Sequence, residues 1–349
     1  MGVSVLVYGA GGAGRSLCAA LAAAGLNVEL AGRSPERVGA VARDLGVPYR
    51  IADLRDRVSV LGALDGVHLV INAAGPFART APPLLSAALT AGVHYLDLSN
   101  EYSSHTHAWF RHRDAVARQT AIVCGSGFGG TAAGLAALRA VAEVPDAHSL
   151  DILFVPRGSS GTAGVLRSTL SLVAGGGRGL LNGTLRRLSV RRFARAETLP
   201  NGDVVSVAPV STGDLVSIAR GTRVPNVMVF TPVRVSLRVL RVLMPPLSVL
   251  LRPGWVREAV VAAVMRRKGR AETPVPAPRM SYAQATATDT SGRSHTAVVA
   301  VPHTRDFMAA VCLALIEEVR GGDVAGCHTP AQVLGRDRLD ELVGRMVQT

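Results

Sequence analysis

The sequence "VSVLVYGAGGAGRSLCAALAAAGLNVELAGRS", residues 3–34, predicts the fold of the N-terminal part of the chain. Its apolar start over 3–7 predicts a short buried strand. The turn Gly9–Gly14 matches the spacing G-x-G-x-x-G, and an Ala/Leu-rich helix over 15–24 then ends at Gly25, a residue common just after helix ends. Another apolar run closes the stretch as a second strand. Strand, glycine turn, helix and strand in this order form the βαβ unit that binds dinucleotides.

The small residues of the turn are expected to hold the pyrophosphate of the dinucleotide. Gly9 permits the tight turn, Gly11 lets the backbone approach the phosphates, and Gly14 lets the helix pack closely on the strand. The N–H groups of Gly12 and Ala13, at the start of the helix, point toward bound phosphate. The alternative is a glycine-rich turn with a purely structural role.

The end of the second strand predicts which dinucleotide binds. NAD-binding proteins of this type place a carboxylate there to bind the ribose 2′-hydroxyl, and that carboxylate would repel a 2′-phosphate. This chain has Arg33, whose guanidinium pairs well with phosphate, and Ser34, which adds a hydroxyl. We therefore expect NADP(H) as the cofactor. The alternative is that Arg33 only points into solvent.

The alternation of strands and helices continues to about residue 129. A third strand ends at Asp53, which we expect near the adenine, and a fourth opens into a loop over 72–77. Polar residues follow the carboxyl ends of several strands, where open parallel sheets bind ligands. Residues 1–129 are thus predicted to be an NADP-binding domain of α/β class, with a doubly wound parallel sheet of the Rossmann type.

The sequence pattern changes after residue 129. Residues 130–305 contain short strand-like runs separated by turns, including a hairpin with its turn at 289–292. They predict a second, α+β domain with a mostly antiparallel sheet, used for the substrate or for oligomerisation. Residues 306–349 are predicted to be a helical segment that returns toward the Rossmann domain.

Composition excludes several classes of protein. Apolar residues make up 48% and charged residues 18% of the 349 positions, which favours a large buried core. The four cysteines lie far apart without a CxxC pair, which argues against a disulfide scaffold and a zinc site. The chain has neither a signal-peptide pattern nor an apolar window of about 20 residues, so we expect a cytoplasmic location.

The net charge of +13 comes almost entirely from arginine. Codon bias would explain it without a function, whereas an anionic partner would give it one. Nucleic acid is not expected, because the chain has no helix-turn-helix, finger or aromatic platform and only 4% aromatic residues. The basic segment 231–270 is the most unusual: Arg234, Arg238 and Arg241 share one helical face. The sequence leaves two interpretations of this segment. It forms helices packed on the sheet, or it forms an apolar lid whose arginines contact an acidic carrier protein or, peripherally, an anionic membrane.

Several stretches together resemble one family. They are "VYGAGGAGRS" (7–16), "INAAGPFARTAPPLLSAALTAGVHYLDLSNE" (71–101), "GSGFGGTAAG" (125–134) and, more loosely, "GCHTPAQVLG" near the C-terminus. They resemble the saccharopine dehydrogenase-like reductases, nearest to bacterial trans-acting enoyl reductases. The resemblance implies a two-domain, NADP-dependent oxidoreductase with its site in the cleft between the domains.

The resemblance also implies roles for individual residues. The loop over 73–77 would contact the nicotinamide ribose, and residues 97–101 with Gly127 and Phe128 would surround the nicotinamide. Gly129 stands where the family often has aspartate, so a catalytic carboxylate at that position is not expected. The residues expected to contact the cofactor are Gly9, Gly11, Gly12, Ala13, Gly14, Arg33, Ser34, Asp53, Asn72, Ala73, Ala74, Gly75, Pro76, Phe77, Ser99, Gly127 and Phe128.

The proton donor is sought in residues 94–114, the part of the chain richest in titratable groups. Tyr102 is the first candidate, followed by Asp97 and Glu101. The alternative is that the two carboxylates cap loops and that the nearby histidines sit on a solvated helix start. The histidine spacing is poor for a metal, and no metal is predicted.

These observations predict a reductase. The expected reaction is reduction of a C=C (enoyl) or C=N bond in a small apolar intermediate, carried on an acyl carrier protein or free, by a homodimer. The alternative is a dinucleotide-binding protein without redox turnover, which would act as a sensor or as a cofactor-assisted isomerase or cyclase.

Overall fold

The structure is a computed structural model that describes residues 3–155, 166, 170, 173–233, 236–268 and 280–347. It divides into two compact units, Met1–Thr131 with Thr304–Thr349, and Ala132–His303. The divisions lie within two residues of the expected boundaries at 129/130 and 305/306. The sequence also predicts a loop and a helix over 157–177, and these residues fall largely outside the described part of the chain.

The strands and helices are numbered in chain order. The strands are β1 (Ser4–Tyr8), β2 (Asn27–Gly32), β3 (Tyr49–Ile51), β4 (Leu69–Asn72), β5 (His94–Asp97), β6 (Ala121–Val123), β7 (Ser149–Val155), β8 (Gly177–Leu181), β9 (Thr184–Leu188), β10 (Arg195–Thr198), β11 (Val204–Pro209), β12 (Asn226–Val233), β13 (Ser281–Thr288), β14 (Ser294–Val301) and β15 (Gly326–His328). The described helices are α1 (Gly12–Ala23), α2 (Pro35–Leu45), α3 (Arg57–Ala63), α4 (Phe77–Ala91), α5 (Tyr102–Phe110), α6 (His112–Ala117), α7 (Phe128–Glu143), α8 (Val190–Phe193), α9 (Asp214–Thr222), α10 (Leu237–Leu250), α11 (Gly254–Lys268), α12 (Thr304–Arg320) and α13 (Pro330–Val347).

The first unit contains a seven-stranded parallel sheet in the order β15-β6-β5-β4-β1-β2-β3. From β1 the chain builds outward to β3, then crosses back and starts β4 on the other side of β1. The carboxyl edge between β1 and β4 is therefore the switch point where such sheets bind ligands. The predicted Rossmann-type sheet is confirmed, and the C-terminal β15 extends it beyond β6.

Helix α1 follows the glycine turn and packs against the sheet through Leu17, Cys18 and Leu21, each fully buried. It begins at Gly12, three residues before the predicted start. Its end is as predicted, with Gly25 in the left-handed conformation at φ +80°.

The second unit is built on an eight-stranded, mostly antiparallel sheet. Six strands form the path β10-β11-β12-β7-β13-β14, and β8 with β9 extends it from β12. Among the described strands of this second sheet, β12 and β7 form the one parallel pair. The predicted hairpin is β13/β14, and its turn is held by Asp289, whose carboxylate accepts the N–H groups of Ser291 and Arg293 at 2.9 and 3.0 Å.

Across the described ranges, none of the helices combines the length and apolar character needed to cross a bilayer.

Candidate cofactor site

The glycine turn between β1 and α1 has a backbone that side chains would not tolerate. Gly9 has φ +126°, a value that residues with a Cβ rarely adopt, and its N–H donates to the Ala31 carbonyl at 2.7 Å. A Cβ on Gly14 would lie 1.8 Å from the Gly9 carbonyl oxygen. The predicted roles of these two glycines, tight turn and close packing, match this geometry.

The start of α1 is open, as a phosphate site requires. A Cβ on Gly11 or Gly12 would have no atom within 4 Å, and no described side chain caps this end of the helix. The first turn also lacks acidic residues. Backbone N–H groups and the positive end of the helix dipole thus face open space, so the turn fits the pyrophosphate of a dinucleotide.

At the end of β2, Arg33 and Ser34 differ in their surroundings. The Arg33 side chain is exposed. The Ser34 hydroxyl is the N-cap of α2: it accepts the Arg37 N–H at 3.4 Å and donates to the Glu36 carboxylate at 2.9 Å. Of the pair predicted to bind the 2′-phosphate, Arg33 is therefore the better placed.

Arg37 is a basic residue of this region that sequence reasoning missed. Its Nε donates to the carbonyl oxygen of Ala10, inside the glycine turn, at 3.3 Å. It lies in the first turn of α2, four residues after Arg33, and its side chain reaches back to the phosphate-binding turn. The sequence alone carries no signal for this contact, because the contact depends on how α2 packs beside the turn.

Asp53 follows β3, as predicted, but its carboxylate is already paired. Arg55 donates to it at 2.6 Å, and this hydrogen bond is the main reason why the pKa of Asp53 falls to about 2. The nearby positive charge of Arg33 lowers the pKa of Asp53 further. The charge of Asp53 is thus balanced locally, which reduces its repulsion of a phosphorylated cofactor.

Asn72 shapes the loop that follows β4. It is fully buried, its Oδ1 accepts the Ala74 N–H at 3.1 Å, and its Nδ2 donates to the Tyr95 hydroxyl at 3.1 Å. Its amide is therefore satisfied by the protein, and its role is to fix the backbone of the loop at Ala73 and Ala74 rather than to contact the cofactor with its side chain.

Helix α4 begins earlier than the sequence predicts. The sequence predicts a helix over 82–91, but α4 begins at Phe77, five residues before Pro82, so the loop is shorter than expected and Phe77 is helical. The Glu101 carboxylate accepts the N–H groups of Phe77 and Ala78 at 3.0 and 2.8 Å and so caps the helix. Glu101, a candidate proton donor, thus takes the capping role that was the alternative.

Asp97 ties together the loops that follow β5 and β6. It is fully buried, and its Oδ1 accepts the N–H groups of Ser99 and Gly125, each at 3.0 Å. Burial raises the pKa of Asp97 to about 6, with a further increase from Cys124 and an opposing effect of His105 and the two N–H donors. A carboxyl that is inaccessible and fully engaged positions the loops and is poorly placed to exchange protons with a substrate.

His105 completes this buried cluster. The alternative of a solvated helix start is wrong for it, because the ring is fully buried and its Nε2 lies 2.9 Å from the Ser99 carbonyl oxygen. Burial lowers the pKa of His105, but interactions with Cys124, Asp97 and Ser99 outweigh it and raise the pKa to about 10. Sequence reasoning missed Cys124 and this role of His105, because the three partners come from separate segments.

The remaining candidates around the nicotinamide position lie on the same edge. Ser99 is buried and its hydroxyl accepts the Glu101 N–H at 3.0 Å, while Phe128 packs edge-on against Phe307 with ring centres 6.2 Å apart. Tyr102, the first residue of α5, is half-buried. Tyr102 is thus more accessible than the fully buried Asp97.

Metal ligands are not gathered anywhere in the described ranges: no group of three or more His, Cys, Asp or Glu residues lies close enough to hold an ion.

Known proteins are similar to this chain mainly over its N-terminal domain. A family profile for the saccharopine dehydrogenase NADP binding domain matches residues 5–123. Over 134 residues the chain is 32% identical to the trans-acting enoyl reductase of Mycobacterium leprae, covering 36% of this chain and 32% of that protein. Over 67 residues it is 45% identical to the shikimate dehydrogenase (NADP(+)) of Paramagnetospirillum magneticum, covering 19% of this chain and 23% of that protein. These matches thus span a quarter to a third of the relatives' lengths.

The fold is similar along the whole chain to a solved structure, the apo saccharopine dehydrogenase (L-Glu forming) of Saccharomyces cerevisiae. The TM-score is 0.64 with 14% identity, over 99% of this chain and 97% of that chain. At this identity the likeness concerns the fold alone. The profile match, the open glycine turn and the switch point of the sheet agree: residues 5–123 match the saccharopine dehydrogenase NADP binding domain and have the fold and the glycine turn of a dinucleotide-binding domain.

Proposed function

We propose that the protein is an NADP(H)-dependent oxidoreductase that reduces a C=C (enoyl) or C=N bond in an apolar, carrier-bound intermediate. The observation that carries the proposal is the open start of α1 beside the exposed Arg33. The partial likeness to a trans-acting enoyl reductase supports the C=C alternative.

Different residues of the first unit would bind different parts of the dinucleotide. The turn Gly9–Gly14 would hold the pyrophosphate and Arg33 the 2′-phosphate. The backbone segments after β4, β5 and β6, held in place by Asn72 and Asp97, would enclose the nicotinamide. NADPH, when bound, supplies a hydride to one atom of the double bond.

The other atom of the double bond needs a proton, and Tyr102 is the proposed donor. Its phenolic oxygen would give up the proton as the hydride arrives and regain one from solvent afterwards, which balances the reaction. The half-buried position of Tyr102 supports this assignment over Asp97 and Glu101, whose oxygens already accept backbone N–H groups.

The test is the consumption of NADPH, followed by absorbance, with matched series of enoyl thioesters and imines of increasing chain length. We expect turnover with one series, rising with chain length, and Tyr102→Phe should lower it about 100-fold or more while NADPH binding is kept. The competing function is a dinucleotide-binding protein without redox turnover. Tight NADPH binding with no consumption by any substrate of either series would favour that function.

A further inference from the structure

Helix α10 in the second unit exposes an apolar stripe. Val239, Val242, Pro246, Val249 and Leu250 follow one another at spacings of three, four, three and one residues, which places them on one side of the helix. Their exposure is unusual for aliphatic side chains: Val242 and Leu250 are 61% and 63% accessible, and Val249 is 54% accessible. The stripe faces solvent instead of the core.

The opposite side of α10 is the one that packs on the unit. Leu237 packs against the small buried cluster of Ala194 and Ala208, and Leu251, just past the helix, is 3% exposed. The Arg241 guanidinium donates to the Ala194 carbonyl at 2.8 Å. Arg241 thus helps to hold the helix on the unit. Arg234, which shares its expected face, lies outside the described residues.

Basic residues and a tryptophan surround the stripe. Trp255, at the start of α11, is 74% exposed, and the Arg238 and Arg252 side chains are exposed as well. Residues 236–268 contain six arginines and Lys268 against the single acid Glu258, a net formal charge of +6. Less than a tenth of the chain therefore carries nearly half of its net charge of +13. We call the exposed side chains of Val239, Val242, Val249, Leu250, Trp255, Arg238 and Arg252 the α10 surface.

We propose that the α10 surface binds the headgroup region of an anionic lipid bilayer. An outward apolar stripe, flanking arginines and an interfacial tryptophan are the features of helices that lie in a membrane surface. A second copy of the chain would bring +6 against +6 and is disfavoured by charge. An acidic carrier protein would suit the arginines, but the most exposed apolar side chains of the surface, Val242, Leu250 and Trp255, gain most from an apolar medium.

Vesicle binding tests this proposal independently of any redox activity. The probes are phosphatidylcholine vesicles with and without phosphatidylglycerol, with flotation and tryptophan emission as readouts. The wild type should float with the anionic vesicles, release as salt rises, and shift its emission to shorter wavelength. The chain has two tryptophans, so Trp255→Phe leaves Trp109 and should remove the emission shift.

Substitutions within the surface should weaken binding, and matched ones outside it should not. Arg238→Gln and Arg252→Gln should each weaken binding to anionic vesicles about fivefold. Val242→Asn with Leu250→Asn should abolish it, while Arg113→Gln, Arg118→Gln and Val58→Asn, at exposed sites in the first unit, should leave it unchanged.

Three results would overturn the proposal: no flotation of the wild type with anionic vesicles, equal loss in the control variants, or loss of self-association or carrier-protein binding in the surface variants without any vesicle binding. NADPH affinity, measured on every variant, reports whether the first unit is intact. If Val242→Asn with Leu250→Asn unfolds the second unit, the emission shift of the wild type on anionic vesicles, compared with that of Trp255→Phe, still tests whether the surface binds the bilayer.

Discussion

Positive charge beside the phosphate-binding turn comes from more than one side chain. Arg33 is exposed at the end of β2, and Arg37 reaches the Ala10 carbonyl from the first turn of α2. The role of Arg33 could be predicted from the sequence, because the βαβ pattern fixes its position after β2. The contact of Arg37 could not be predicted, because it depends on how α2 packs beside the turn.

Arg37→Ala separates two roles of this side chain. If Arg37 contributes to 2′-phosphate binding, NADPH affinity should fall about tenfold, as for one charge-assisted hydrogen bond, while NADH affinity stays nearly constant. Titration of both cofactors against the variant measures this. An equal loss for both would mean that Arg37 only supports the backbone of the turn at Ala10.

For individual helices, contacts between distant parts of the chain determine the start of α4 and the burial of His105, which local sequence patterns could not predict. Pro82 and Pro83 are typical of a helix start, which placed the start of α4 too late. The actual start at Phe77 depends on Glu101, which follows 24 positions later in the chain. His105 is similar: it lies in a polar stretch, yet it is buried because the ends of β5 and β6 meet beside it.

Removing the cap of α4 tests the role of Glu101. Glu101→Ala leaves the N–H groups of Phe77 and Ala78 without their acceptor, so the free energy of unfolding should fall by about 1–2 kcal/mol. Chemical denaturation measures the change, and hydrogen exchange at the two amides should accelerate. Unchanged stability with lost turnover would instead identify Glu101 as a proton donor.

The buried cluster of His105, Asp97 and Cys124 predicts a pH dependence of stability. The pKa of His105 is raised from the ordinary value of 6.5 to about 10, so its protonated form stabilises the folded state fully below pH 6.5, and this contribution is lost as pH rises through 10. The pKa of Asp97 is raised from 3.8 to about 6, so its protonated form stabilises the folded state fully below pH 3.8, and this contribution is lost as pH rises from 3.8 through 6.

His105→Gln isolates the histidine. The difference in unfolding free energy between wild type and variant should be largest near pH 6.5 and shrink toward pH 10. Denaturation curves across this interval measure it. A difference that does not change with pH would mean that His105 acts through packing and its hydrogen bond alone.

For the whole molecule, the class of each unit followed from the sequence, because the βαβ unit and the β13/β14 hairpin have strong local patterns. The α10 surface could not be predicted from the sequence. The periodicity of the arginines was visible, but the packing of Leu237 and Arg241 determines that the apolar side of the helix faces outward. The substrate and the proposed homodimer depend on chemistry and contacts that a single chain does not contain.

The first unit is expected to bind NADP(H) through the turn Gly9–Gly14 and the positive charge at the end of β2. Calorimetric titration of NADPH and NADH against the wild type and Arg33→Asp measures this binding and its selectivity. We predict that the wild type binds NADPH at least about tenfold more tightly than NADH, and that Arg33→Asp abolishes or reverses this preference. Equal affinity of the wild type for the two cofactors would contradict the account.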